Sequence, residues 1–229
     1  MLVSPGDVIA DRFEIERHVG AGGMGAVYRA HDRETGGLVA IKLVNCADAS
    51  TRARFEREAQ ALAELVHPAI VGYRAHGESD DRLFLAMEWL DGEDLGTRLE
   101  VSRLTVADAI ACVAQAATAL GVAHARGVVH RDVKPSNLFL VDWQPDRIKL
   151  LDFGVARFLE LDALTRTGSL VGTPLYMAPE QLTGRAIDAR TDVFALGAVM
   201  FHVLTGRPPF PARSLPELVA SVTGSDEAA

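Results

Sequence analysis

His130-Arg131-Asp132-Val133-Lys134-Pro135-Ser136-Asn137 is the stretch on which both the fold and the chemistry turn. It crowds ionisable and amide side chains between two short apolar runs, Val128–Val129 and Leu138–Val141, and so reads as a polar turn between strands. A second polar turn, Asp152-Phe153-Gly154, follows the strand candidate Ile148–Leu151, and Ala178-Pro179-Glu180 comes after a loop rich in Thr, Ser and Gly over 160–174. Upstream, Thr105 with Asp108 gives a capping-box-like start to a helix running to about Arg126, where Gly127 suits the residue past a helix end. Downstream, Asp192–Leu204 is apolar nearly all round, the pattern of a helix in the middle of a core.

Outward toward the N-terminus, Phe13, Ile15 and Val19 share one parity and predict a strand, after which Gly20-Ala21-Gly22-Gly23-Met24-Gly25 satisfies GxGxxG. That spacing alone is shared with dinucleotide-binding folds, which need a helix directly after the glycines. Here Ala26-Val27-Tyr28-Arg29 reads as strand, which fits a hairpin whose glycine tip lets backbone N–H groups close over phosphates. An ordinary flexible turn fits the glycines equally well at this level. After a turn at Glu34–Gly37, the β-rich run Leu38–Val44 contains Val39-Ala40-Ile41-Lys42. From Ser50 the period becomes 3.6, with Phe55, Ala59, Leu62, Leu65 and Val66 on one stripe and Glu58 among them. A carboxylate on an apolar face is costly unless paired, and Lys42 on a facing strand could pair with it. Strands near Ile70–Ala75 and Leu83–Trp89 close this half. The expected fold class is α+β: a small antiparallel sheet with one helix over 1–90, then a mainly helical region over 91–229.

These pieces together resemble a protein kinase, whose signature couples a glycine loop to VAIK, a helix glutamate, HRDxKxxN, DFG and APE in this order. Of the 23 basic residues only Lys42, Lys134 and Lys149 are lysines, yet Lys42 and Lys134 fill both motif positions that demand one. Lys134 indicates the Ser/Thr class. With GAGGMGAV over Gly20–Val27, RDVKPSN and GTPLYMAPEQ, the chain is most similar to bacterial eukaryotic-like Ser/Thr kinases from about Asp11 to Phe210. The resemblance implies a bilobal fold that binds ATP and Mg2+ and transfers the γ-phosphate to Ser or Thr hydroxyls of a protein substrate. By the same resemblance Lys42 holds the α- and β-phosphates and is oriented by Glu58, while Asn137 and Asp152 hold magnesium. Asp132 orients or deprotonates the substrate hydroxyl, and Lys134 offsets charge near the γ-phosphate. His130 is assigned structure instead, packed with Phe153, Leu62 and Tyr73. Around adenine, Val27 and Ala40 would cover the ring, Met87 guard the back, the backbone of Glu88 to Leu90 pair with the purine edge, and Phe139 lie below. Asp94 either reaches the ribose or starts a helix as its cap.

Arg131 resembles the arginine that pairs with a phosphorylated residue in kinases whose loop is ordered that way, which makes Thr165 and Thr167 candidate autophosphorylation sites. Thr173 is expected to touch Asp132 and Lys134 instead. A transient homodimer would serve phosphorylation in trans.

Composition narrows the alternatives. The chain's 229 residues are 48% hydrophobic and 24% charged, which excludes a disordered or collagen-like chain. Lys+Arg 23 against Asp+Glu 31 gives a net charge of −8, spread over both halves, which disfavours nucleic-acid binding through phosphate neutralisation. Cys46 and Cys112 form no CxxC, so neither a disulfide framework nor a zinc site is expected. No basic residue precedes Arg12, no signal-like apolar region follows, and the longest apolar stretch, Val193–Leu204, is too short to span a membrane. A cytoplasmic location without a membrane segment is the expectation. The resemblance also implies a larger second lobe, because Ser214–Val222 reads as one short helix before a polar end. Glu180 would then lack a buried arginine partner, a loss typically worth ~3–5 kcal/mol. The runner-up reading is a truncated, inactive nucleotide-binding or interaction module.

Overall fold

A computed structural model describes residues 3–22, 25–45, 49–153, 174–212 and 214–224. The chain divides into two compact units. The first holds the described residues up to Val66 together with Val71–Leu90, and the second holds His67–Ile70 and the described residues from Asp91 onward.

The first unit is a six-stranded antiparallel sheet in the order β1-β2-β3-β4-β6-β5. Its strands are β1 (Val8–Ile9), β2 (Phe13–Gly22), β3 (Gly25–Asp32), β4 (Leu38–Asn45), β5 (Tyr73–Ser79) and β6 (Arg82–Glu88), with α1 (Ala49–Ala63) between β4 and β5. One face buries Phe13, Ile15, Tyr28, Ala30, Val39, Ile41, Leu43, Phe84 and Ala86 in a single cluster. Fully burying such a side chain is worth about 1.5–3 kcal/mol, so this face carries the unit's stability.

The parity reading of β2 fails beyond Ile15. Phe13 and Ile15 are buried, but Val19 is 44% exposed. Two β-bulges explain this. The register steps from Ile15 to Arg17 and from His18 to Gly20 on β2, while β3 advances by one residue each time, so Glu16 and Val19 are the extra residues. On α1, Phe55, Ala59 and Leu62 are buried as the stripe predicts, as is Leu65 beyond it, whereas Val66 is 84% exposed because the helix has already ended at Ala63.

The second unit contains a three-stranded sheet, β7 (Gly92–Asp94), β8 (Leu138–Val141) and β9 (Ile148–Leu150), in that order. Its helices are α2 (Leu95–Val101), α3 (Val106–His124), α4 (Pro179–Leu182), α5 (Ala189–Thr205) and α6 (Leu215–Thr223). Thr105 caps α3, its hydroxyl oxygen accepting the Asp108 N–H at 3.1 Å, and Gly127 follows the helix with φ +73°. By length and composition alone α3 could cross a membrane. Here it packs on α5 and β9, with Cys112, Ala116, Ala119 and Ala123 fully buried. Helix α5 buries Ala195, Leu196, Val199 and Val203 but leaves Val193, Phe201 and Leu204 exposed, so it is not surrounded on all sides as its composition suggests. His67–Ile70, expected in the first half, joins the second unit because Ile70 bridges Leu150 and the Leu150 N–H donates to the Ala69 carbonyl.

A buried ion pair ties the start of the first sheet together. Arg12 donates from Nε to Asp32 Oδ1 at 2.8 Å and from its terminal nitrogen to Oδ2 at 2.7 Å, and the Thr35 hydroxyl and Glu34 N–H donate to the same carboxylate. Asp32 is fully buried, and the Arg12 guanidinium holds its carboxyl well below the usual carboxylate range. A depressed folded-state pKa stabilises above the unfolded value, about 3.9 for Asp, and that contribution is lost as pH falls further toward the folded value. Urea midpoints of wild type and Asp32→Asn, compared from pH 7 to pH 3, should differ by a steady amount above about pH 5 and by progressively less below about pH 4, with a gap still present at pH 3. A gap independent of pH would contradict this.

Candidate active site

In the first unit, pairing register alone assembles a second sheet face opposite the core cluster. Val27 lies across from Lys42, Lys42 from Leu85, and Ala40 from Met87, so all five side chains project to one side. Met87 is 9% exposed and Lys42 7%. Helix α1 covers the same side: Phe55 packs edge-on against His76 at 6.2 Å, and His76 is the β5 partner of Leu85. Glu58, half-buried, lies on the Phe55–Leu62 stripe of that helix. Lys42 and Glu58 are both engaged by neighbouring groups. The ammonium of Lys42 is thus buried on the sheet face that α1 covers.

The glycines form a hairpin. β2 and β3 pair antiparallel through Gly20–Val27, Ala21–Ala26 and Gly22–Gly25, which removes the dinucleotide-fold reading, since strand and not helix follows. Gly25 has φ +140°, and a Cβ there would stand 1.9 Å from the Leu43 carbonyl oxygen. No other residue fits that close approach of β3 to β4. Gly23, Met24, Cys46, Thr165, Thr167 and Thr173 lie outside the described residues.

At the end of β6, the Glu88 N–H donates to the Gly72 carbonyl at 2.8 Å, and the Glu88 carboxylate accepts the Gly72 N–H at 2.7 Å. The amide of Glu88 is therefore committed within the protein. The purine-edge expectation for Glu88 to Leu90 narrows to the other backbone groups of that segment.

In the second unit, the polar turn is held by a residue that sequence reading took only as the start of a core helix. Asp192, fully buried on α5, accepts the His130 N–H on Oδ2 at 2.8 Å and the Arg131 N–H on Oδ1 at 2.7 Å. His124 Nε2 reaches Oδ2 at 2.7 Å. These bonds also explain why Val128–Val129 is not a strand: the backbone that follows pairs with a side chain rather than a ladder. The only early signal was a lone carboxylate at the start of an otherwise apolar helix.

His130 is fully buried and structural. Its Nδ1 accepts the Asp132 N–H at 3.2 Å, so Nε2 carries the proton and donates to the Leu151 carbonyl at 2.8 Å, while the ring packs on Phe153 at 4.5 Å. Leu62 and Tyr73, expected as its further packing partners, belong to the first unit, where the Tyr73 hydroxyl is hydrogen-bonded to His76 Nδ1. Arg131 adopts φ +66°, a left-handed conformation costing on the order of 1–3 kcal/mol for a side-chain-bearing residue. It is pinned on both sides, by Asp192 at its N–H and by Gln181 Nε2 at its carbonyl, 2.9 Å away. Gln181 also accepts the Ala178 N–H, and so couples the Ala178-Pro179-Glu180 segment to the turn. That role too was missed, since a glutamine one residue past APE carries no chemical signal of its own.

The turn converges on Asp132. Lys134 Nζ lies 2.8 Å from Asp132 Oδ2, and Asn137 Nδ2 donates to the same oxygen at 2.9 Å and to the Asp132 carbonyl at 2.7 Å. Asn137 thus spends its amide nitrogen on Asp132, which leaves its side-chain oxygen as the atom able to ligate a cation. Asp152 has φ +53° and is half-buried at the end of β9. The Leu151 N–H donates to the Asn137 carbonyl at 2.9 Å, so both oxygen donors sit on one bonded framework. Among the described residues no cluster of three or more His, Cys, Asp or Glu side chains forms a metal cage. Two hard oxygen donors fit Mg2+, which takes most of its remaining ligands from water and phosphate.

Asp94 is the N-cap of α2, accepting the Thr97 N–H at 3.0 Å and the Thr97 hydroxyl at 2.7 Å. Phe139 is half-buried on β8 opposite Asp94 and Lys149, on the side away from the buried Leu138 and Leu140. The Glu180 carboxylate, expected to lack a buried arginine partner, accepts the Thr191 hydroxyl. Tyr176, whose phenol burial pushes up to about 12, is hydrogen-bonded to His202 Nδ1 at 2.6 Å and fixes the start of the Ala178 segment on α5.

Removing the Asp192 carboxylate strands two buried N–H groups. Asp192→Ala should cost about 3–5 kcal/mol in urea unfolding, and Asp192→Asn, which keeps one acceptor, should cost less. A loss below about 1 kcal/mol for the alanine variant would contradict the anchoring role.

A model of the protein kinase domain matches residues 13–225. The chain is 41% identical over 215 residues to the serine/threonine-protein kinase PknJ of Mycobacterium tuberculosis, a match covering 92% of this chain and 36% of that protein. It is 42% identical over 213 residues to PknD of the same organism, covering 91% of this chain and 32% of the relative. The chain therefore spans about a third of these relatives' length. The crystal structure of the M. tuberculosis PknI kinase domain superposes with a TM-score of 0.77 at 33% identity, over 97% of this chain and 89% of that one. The glycine hairpin, the buried strand lysine and the Asp132 turn therefore lie within a protein kinase fold, and the chain belongs to the protein kinase domain family.

Proposed function

We propose that this chain catalyses ATP-dependent phosphorylation of Ser or Thr hydroxyls on protein substrates. The observation that carries the reading is the Asp132 carboxylate, gripped by Lys134 and Asn137 on a turn whose backbone is locked to buried Asp192. Phosphoryl transfer needs positioning and charge neutralisation more than covalent help, and each residue supplies one of these. Lys42, braced by Glu58, binds the α- and β-phosphates, and the glycine hairpin covers them with backbone N–H groups. Asp132 accepts a hydrogen bond from the substrate hydroxyl and takes its proton as the hydroxyl oxygen bonds to the γ-phosphorus and the bond to the β-phosphate oxygen breaks, releasing ADP. Lys134, already at hydrogen-bond distance from Asp132, places positive charge beside the transferring group. Magnesium, when bound through Asn137 and Asp152, supplies neutralisation of the phosphate oxygens. Autophosphorylation at Thr165 or Thr167, with Arg131 as the pairing cation, is part of the same proposal.

Incubation with radiolabelled Mg-ATP should label wild type, and Asp132→Asn should lose about 10²–10⁴-fold in rate. Both should be stabilised against heat by Mg-ATP, because Asp132 acts on the acceptor hydroxyl and not on nucleotide affinity. Thermal stabilisation of wild type without any label would contradict catalysis and leave a nucleotide-binding module.

A further inference from the structure

Arg17 and Arg29 are direct cross-strand partners on β2 and β3. Two cations placed so repel each other. Strand parity would put Arg17 on the core side with Ile15, but the bulge at Glu16 turns it to the face that carries Ala40, the β4 partner of Arg29, and Met87. On that face both guanidiniums lie against one indole: Arg17 Cζ is 5.6 Å and Arg29 Cζ 5.2 Å from the Trp89 ring centre. The extra residue of the bulge completes the arrangement, since Glu16 Oε2 is 3.0 Å from Arg29 Nε. The strands that end in the glycine hairpin are thereby fastened to the residue just past β6, next to the Glu88–Leu90 backbone.

We propose that Arg17, Arg29 and Trp89 form a cation–π clasp that positions the glycine hairpin for nucleotide binding. The inference rests on the nucleotide-binding reading above. These are positioning residues, acting through the hairpin. A hairpin free to swing occupies its binding-competent position for only part of the time, and apparent affinity falls in proportion to that fraction. Each cation–π contact at a partly exposed site biases the equilibrium by about three- to fivefold, so the pair is worth roughly tenfold or more.

The test uses a Trp143→Phe background. Trp143 is 54% exposed on the β8–β9 turn, and its replacement leaves Trp89 as the only indole of the chain's two. In this parent, Arg17→Met and Arg29→Met should each raise the KM for ATP about threefold and together about tenfold, with kcat within about twofold. Arg29→Lys should recover part of the loss, because the cation remains. The double variant should also shift Trp89 emission in the absence of nucleotide. Trp89→Leu, which removes the ring and leaves the arginines opposed, provides an independent route to the same rise in KM should the double variant fold poorly. Unchanged KM in both the double variant and Trp89→Leu, beside a parent that binds ATP, would overturn the clasp alone. Failure of the parent to bind ATP, read by titration calorimetry, would overturn the nucleotide reading and the clasp with it.

Discussion

A single buried carboxylate organises the polar turn of the second unit. Asp192 carries a charge where no water reaches it, and it is tolerable there only because the His130 and Arg131 amides and the His124 imidazole supply its hydrogen bonds. Each requirement serves the other. The amides belong to backbone that pairs with no strand, and the carboxylate gives them a fixed acceptor on a long, rigid helix. The polar turn is thereby held as firmly as a strand without forming one, and it can keep Arg131 in a left-handed conformation that would otherwise relax. From that fixed backbone, Asp132, Lys134 and Asn137 project into mutual contact.

The first unit solves a related problem with the opposite material. Its core face is wholly apolar, and its stability comes from burial there, which frees the other face to hold a lysine beside small and aliphatic side chains. Bulges on β2 do more than interrupt a pattern. Glu16, the extra residue of the first bulge, turns the strand so that Arg17 comes to the face that carries Ala40 and Met87. The glycines then allow the approach of backbone to backbone that Gly25 displays against Leu43.

Much of this was legible in the sequence because its chemistry is local. Lysine is rare in this chain, so Lys42 and Lys134 stood out, and the ordered spacing of Asp132, Asn137 and Asp152 carried the family resemblance. Strand after the glycines separated a hairpin from a dinucleotide fold. What stayed hidden depends on long-range geometry. Asp192 lies 60 or more residues from the amides it holds, and Gln181 is 50 from the carbonyl it grips. Bulges change parity without changing composition, which is why Val19 was placed inward. Val128–Val129 looks like a strand because it is β-branched and apolar, and nothing nearby shows that the next amides are claimed by a side chain. The exposed residues of α5 were concealed for a similar reason, since an apolar helix does not reveal which of its faces a neighbour covers.

Amide hydrogen exchange on the intact protein tests the central claim most directly. If Asp192 anchors the turn, the His130 and Arg131 amides should exchange as slowly as those in the middle of α3, although neither residue belongs to a helix or strand. Exchange at the rate of exposed loop amides such as Ala186 would contradict it, and the polar turn would have to be held in place by something other than the buried carboxylate.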